Sequence, residues 1–222
     1  MSVLVKILVG SIIFVGLPII SWGISDIKNY FSNDIRLIYS VGIILFQIIL
    51  VLKFPKIGNN RGDGKNTIKR QHFVVVLLRL IPLLILIIAA YSDSTELLGI
   101  LKFNASRFIG LIIFFAGFTL ANWSEIVLDK QFSVEVTIQK DHELIKHGPF
   151  RYIRHPRYLG IIMFVFGLGL IFNSWLAIIL GIILVVTLLW RIIDEEKLML
   201  DEFSEEWKTY KKSTWKLIPF IY

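Results

Sequence analysis

Residues 158–193 read YLGIIMFVFGLGLIFNSWLAIILGIILVVTLLWRII. Arg191 is the only charged residue in this stretch, and Asn173-Ser174 is the polar joint between its two apolar arms. A membrane-crossing helix needs about 20 mostly apolar residues, because lipid leaves no partner for an unpaired backbone group. The arms, residues 158–172 and 175–193, read as membrane helices, and so short a joint folds them into an antiparallel hairpin. At about 1.5 Å per residue the first arm reaches only roughly 23 Å.

Working outward, four more apolar runs precede the hairpin, at residues 3–22, 35–54, 73–91 and 108–123. The first ends near Pro18 and carries only Lys6, close enough to its start to reach the interface. Its length, with no A-x-A pattern after it, argues for a retained helix over a cleaved leader. Composition agrees. Of 222 residues, 55% are apolar and 18% charged, with a mean hydropathy of +0.70. Soluble globules hold roughly 45–50% apolar and about 25% charged residues. The fold class expected is therefore all-α: a polytopic integral membrane protein of about six helices, with a C-terminal hairpin. A chain without cysteine excludes disulfides, thiol catalysis, Fe–S clusters and S-palmitoylation.

The net charge of +7 belongs to loops at a lipid surface rather than to nucleic acid. Lys56, Arg61, Lys65, Lys69 and Arg70 oppose one acid, Asp63, in the loop 55–72, whose GNNRGDG stretch (58–64) reads as a flexible turn. Lys130, Lys140, Lys146, Arg151, Arg154 and Arg157 crowd the segment 124–157. Loops 23–34 and 92–107 are poorer in bases. Six crossings then place both termini and both basic loops in the cytoplasm. The tail from residue 194 alternates acids, bases and aromatics. Leu198, Leu200, Phe203, Trp207 and Tyr210 form a loose helical stripe, which predicts a helix continuing into the interface. The final LIPFIY is expected to dock back on the membrane face. The chain divides into N-terminal helices, 1–123, and a core, 124–222.

Ionisable groups near membrane depth raise a functional hypothesis, and they gather in two places. One is HELIKHGPFRYIRHPRYLG, residues 142–160; the other is RIIDEE, residues 191–196. Pro149 and Pro156 bias the residues before them away from helix, and Pro156 suits the first turn of the helix that follows. The segment is thus a shaped loop entering a helix N-terminus, where an anion is favoured and Arg154 stands close by. Arg191 and Glu195, at i and i+4, share a face and can pair. Three histidines at H-x4-H-x7-H match no usual metal spacing, so no metal site is assigned. GLGL at 167–170 lies within an apolar helix and reads as a close-packing site. Arg79, with Pro82, reads as a structural pair or headgroup anchor, with a substrate role as the alternative.

The loop, the hairpin, RIIDEE and FSEEWKTYKKS…LIPF, in that order, resemble the isoprenylcysteine carboxyl methyltransferase family. That family lies within a wider group of membrane methyltransferases that includes phospholipid N-methyltransferases. The resemblance covers roughly residues 120–222. It implies a methyl donor, S-adenosylmethionine, held in a cytosol-facing pocket at or near His142, His147, Gly148, His155 and Tyr158, with Glu196 holding the ribose or amino-acid moiety. It implies a catalytic centre of Arg154, Arg191 and Glu195, and a lipidic or prenylated acceptor drawn from the bilayer. Phe150 stands where relatives often carry Tyr, and Ile193 where some carry another Glu. The function expected is carboxyl O-methylation of an isoprenylcysteine-like acceptor. N-methylation of a lipid amine, an NADPH-dependent reductase, and a non-catalytic transporter or scaffold are the alternatives.

Overall fold

Ser2, Asn33 and Ser174 each stand just before an apolar run and accept hydrogen bonds from its first free N–H groups. Ser2 accepts from Val5 (3.4 Å), Asn33 from Ile35 and Arg36 (3.1 and 3.3 Å), and Ser174 from Ala177 (3.2 Å). Helix starts leave such donors unpaired, and lipid offers them nothing. The computed structural model describes residues 2–55, 57, 71–97, 104–133 and 143–221. Its elements are α1 (Val3–Ser11), α2 (Leu17–Trp22), α3 (Ile27–Phe31), α4 (Asp34–Lys53), α5 (Gln71–Ser94), α6 (Asn104–Leu128), α7 (Pro156–Ile171) and α8 (Trp175–Lys212). Among the described residues there is no strand, only an isolated bridge between Ile153 and Trp215.

Among the described residues, five helices are long and apolar enough to cross a membrane: Val3–Trp22, Asp34–Lys53, Phe73–Ser94, Asn104–Gln131 and Trp175–Lys212. This is a multi-pass integral membrane protein. The expected sixth helix, α7, has 16 residues, about 24 Å of rise, and falls short of a full span. Pro156 fixes its start at the end of the loop, and Asn173, with φ of 46°, turns the chain after it. Most of the basic loop between α4 and α5, including Arg61 and Lys65, lies outside the described residues, as does His142.

The first span is one helix with a π-helical turn, Ile12–Gly16, between α1 and α2. Pro18 has no N–H for the Phe14 carbonyl four residues earlier. The buried Tyr39 hydroxyl donates to that carbonyl instead, at 2.7 Å. Lys6 donates to the Pro55 and Ile57 carbonyls, both at 2.7 Å, where the chain leaves α4.

α6 and α7 run antiparallel with glycines in register. A Cβ on Gly117 would lie 2.5 Å from the Phe164 nitrogen, and one on Gly167 would lie 2.6 Å from the Phe114 nitrogen. Gly110 and Gly160 meet backbone as closely. Helices with small residues approach until backbone touches backbone, which maximises van der Waals contact where no hydrophobic force acts. The GLGL stretch is thus a packing site, with Gly169 against Ile178 of α8.

At the hairpin turn a buried ion cluster joins six helices. Asp93, ending α5, accepts from Arg36 (3.0 Å) and from Arg107 (2.6 and 2.7 Å). Arg36 also donates to the carbonyls of Asn29 and Tyr30, at 2.8 and 2.7 Å, and lies over the Trp22 ring. Arg107 donates to the Ile171 carbonyl at 2.6 Å. Burial lifts the Tyr30 hydroxyl here to about 12.

α8 leaves the membrane and continues to Lys212 with a kink at Ser204, φ 42°. Trp207 and Tyr210 of the expected stripe are buried, while Leu200 faces outward. In the last stretch Leu217 is buried, whereas Phe220 and Ile221 are 86% and 79% exposed.

Candidate active site

The loop before α7 is shaped by two prolines and one glycine. His147 is extended, Gly148 takes φ of 59°, and Pro149 opens a 3-10 turn, Gly148–Arg151. A Cβ on Gly148 would be strained by that φ and would stand 3.0 Å from Val127. The chain then runs extended along the tail beyond α8. Arg154 N–H donates to the Trp215 carbonyl (2.8 Å), His155 N–H to Lys216 (3.1 Å), and Trp215 N–H to Tyr152 (3.0 Å). The Tyr210 hydroxyl donates to the Phe150 carbonyl at 2.6 Å. Loop and tail therefore hold each other against the end of the bundle.

Arg154 is the buried peg of this clasp. Its Nε donates to Glu196 Oε1 at 2.9 Å, and a terminal nitrogen donates to the Lys211 carbonyl at 3.1 Å and to the Thr214 carbonyl. Lys211 Nζ stands 3.5 Å from the other Glu196 oxygen. One turn along α7, Tyr158 sits between two groups of α8. Its hydroxyl donates to Glu195 Oε1 and accepts from Arg191 Nε at 2.7 Å. Arg191 Nε also reaches Glu195 Oε1 at 2.9 Å, the i,i+4 pair that the sequence implied. The His155 ring lies parallel to Tyr158, with centroids 5.7 Å apart, and its two nitrogens stand 3.6 Å from Glu195 and Glu196.

Two cavities meet here. A cleft is walled by the loop and by α8; Arg154, His155, Tyr158, Glu195, Trp207 and Tyr210 line it. A second cavity runs among the spans, from Arg157, Tyr158 and Arg191 towards Phe14, Phe118 and Phe164. Arg157 and Tyr158 line both. The first is aromatic and ionic; the second has a polar end and an apolar body.

Of the sequence-derived residues, Arg154, His155, Tyr158 and Glu195 reach the cleft, and Arg191 reaches the membrane cavity. Glu196 stands on Arg154. His147 is exposed, and neither it nor Gly148 is among the cleft's lining residues, Gly148 acting through its backbone turn. His142 lies outside the described residues. Sequence reasoning passed over Glu143, Phe132 and Met199 of the cleft, and Asn122 and Glu125 of the membrane cavity. Asn122 and Glu125 carry a faint signal, as polar residues late in an apolar run.

Residues 105–206 match the family described as phospholipid methyltransferase. The chain is similar to the protein-S-isoprenylcysteine O-methyltransferase of Saccharomyces cerevisiae, 34% identical over 93 residues, 40% of this chain and 37% of that one. It is also similar to a steroid 5-alpha-reductase of Solanum lycopersicum, 30% identical over 115 residues, 51% of this chain and 42% of that one. A solved eukaryotic intramembrane Ras methyltransferase aligns over 100% of this chain and 99% of its own, at 17% identity and a TM-score of 0.49. The matched segments span well under half the length of these curated relatives. Through residues 105–206 the chain is thus similar to the phospholipid methyltransferase family, and within it to proteins named protein-S-isoprenylcysteine O-methyltransferase.

Proposed function

We propose that this protein transfers a methyl group from S-adenosylmethionine to the carboxylate of an isoprenylcysteine-like lipid acceptor at the cytoplasmic face of its membrane. The observation that carries the reading is the junction at Tyr158, where a polar aromatic cleft and an amphipathic membrane cavity share a wall. One accommodates a soluble donor, the other an amphiphile that need not leave the bilayer. Basic residues on the flanking segments support the cytoplasmic placement. In this reading residues 1–123 chiefly wall the acceptor cavity, while 124–222 form the core.

The cleft fits the donor. Phe150, Trp207 and Tyr210 offer flat apolar walls for a purine, and Glu143 and Glu195 offer carboxylates to a cation. When bound, S-adenosylmethionine supplies a methyl on a sulfonium, already activated for in-line displacement. What this chain adds is position and exclusion of water. Glu195, oriented by Tyr158 and Arg191, holds negative charge at the junction. Arg191, partly neutralised by Glu195, gives the junction a cation suited to an anionic acceptor head. A carboxylate is ionised at neutral pH and needs no base. A lipid amine would need one, and His155 or Glu195 stands in place for it. Arg154 acts by positioning, through Glu196 and the tail.

The test is calorimetric titration of the detergent-solubilised protein with S-adenosylmethionine and, separately, NADPH, followed by incubation with N-acetyl-S-farnesylcysteine. Saturable binding of the first alone and formation of the methyl ester are expected. Binding of NADPH alone would move the protein to the reductases that it also resembles; methylation of phosphatidylethanolamine instead would replace the acceptor.

A further inference from the structure

Four guanidinium groups line the cleft and the membrane cavity: Arg79, Arg154, Arg157 and Arg191. Three have protein partners. Arg154 is held by Glu196 and by tail carbonyls, and Arg191 by Tyr158 and Glu195. Arg157 stands 3.6 Å from Glu125 and 4.7 Å over the Phe132 ring. Arg79 has no ion pair, hydrogen bond or ring contact among the described residues. The structural pair expected for it from the sequence is therefore absent there, and its side chain is exposed at the cavity wall.

Its place makes this costly. Arg79 stands six residues inside the span Phe73–Ser94, about 9 Å along the helix, where an unpaired charge is disfavoured. It projects from α5, whereas Tyr158 and Arg191 come from α7 and α8, so the cavity's polar end is approached from two sides. Pro82, three residues on, cannot donate to the Leu78 carbonyl, and both residues line the same cavity. The body of the cavity beyond is Phe14, Phe118, Ile161 and Phe164. An anion at the head of an apolar tail matches that arrangement, and a guanidinium is the side chain best shaped to grip a carboxylate.

We propose that Arg79 binds the carboxylate of the lipid acceptor and selects the free acid over neutral lipids of the same tail. This rests on the acceptor reading above and adds to it the residue that reads the charge. Because the contact is made to the bound acid, its loss is read as weakened affinity for that acid.

The experiment compares wild type, Arg79→Gln and Arg79→Lys, each full-length in detergent micelles, for affinity towards N-acetyl-S-farnesylcysteine and towards its methyl ester. S-adenosylmethionine binding serves as the check on folding. Wild type is expected to prefer the acid by about 10-fold, the scale of one charge-assisted contact. Arg79→Gln should lower the preference by weakening the acid alone, the remainder resting on Arg191, and Arg79→Lys should keep more of it. Retention of the full preference in Arg79→Gln overturns the proposal and shows that Arg79 only reaches for lipid headgroups. Equal weakening of acid and ester, with S-adenosylmethionine binding intact, overturns it in favour of a role in cavity shape. If wild type binds S-adenosylmethionine but neither acid nor ester, the acceptor reading itself fails, and the proposal with it.

Discussion

Replacing Arg154 by Gln is expected to release the tail from the loop before α7 while leaving the bundle folded. The side chain is 6% exposed and its contacts with Glu196, Lys211 and Thr214 are charge-assisted, each worth roughly 1.5–3 kcal/mol. Glutamine keeps one donor group, and Lys211, 3.5 Å from Glu196, can close in on the carboxylate left behind. The net loss should then be about 2–3 kcal/mol, which raises the fraction of open tail about 30- to 150-fold. Hydrogen exchange followed by mass spectrometry reads this directly, because the amides of Arg154, His155 and Trp215 bond only across the clasp. Those amides should lose protection by that factor, with α6 and α7 unaffected, and the affinity for the methyl donor should fall with them. Unchanged protection beside a large loss of turnover would refute the clasp and return Arg154 to the reacting centre.

Glu195→Gln should abolish turnover while the detergent melting temperature stays near wild type, since an amide oxygen can still accept from Tyr158 and Arg191; a collapse in folding would make the pair structural. Gly117→Leu must force α6 from α7, because even a Cβ would lie 2.5 Å from Phe164 nitrogen. Overpacking of this kind costs about 1–3 kcal/mol or more, read as a lower melting temperature in the same detergent. Asp93→Asn should destabilise the protein by about 3–5 kcal/mol, the cost of breaking a buried pair, because Arg36 and Arg107 both depend on it. Donor binding at the opposite end should survive in whatever fraction stays folded, and a binding assay on that fraction checks it.

Much of the fold was legible because lipid admits so few solutions: a long apolar run is a helix, and Asn173-Ser174 between two of them is a turn. Arg191 with Glu195 was legible from spacing alone, since four residues on a helix fix a shared face. What one dimension hides is partnership across the chain. Arg154 could be seen to sit beside a helix start, but nothing in its neighbours announced that Glu196 and Thr214 would take up its donors. Arg36, Asp93 and Arg107 lie at the edges of apolar runs, where each alone looks like ordinary interface polarity; only the fold closes them into one cluster. Trp207 and Tyr210 were visible as a stripe, yet that they would wall the cleft depended on the kink at Ser204.

The glycine seam between α6 and α7 also has a mechanical meaning. With Gly110, Gly117, Gly160 and Gly167 each against the backbone opposite, the two helices meet backbone to backbone along this seam and will travel as one rigid body. The far wall of the membrane cavity is built differently: Phe14 comes from a π-helical turn, and Val75, Leu78 and Arg79 come from a helix interrupted by Pro82. Breathing of the bundle that admits a bulky tail therefore falls to that wall, and Tyr158, fixed at one end of the rigid pair, stays still while the acceptor arrives.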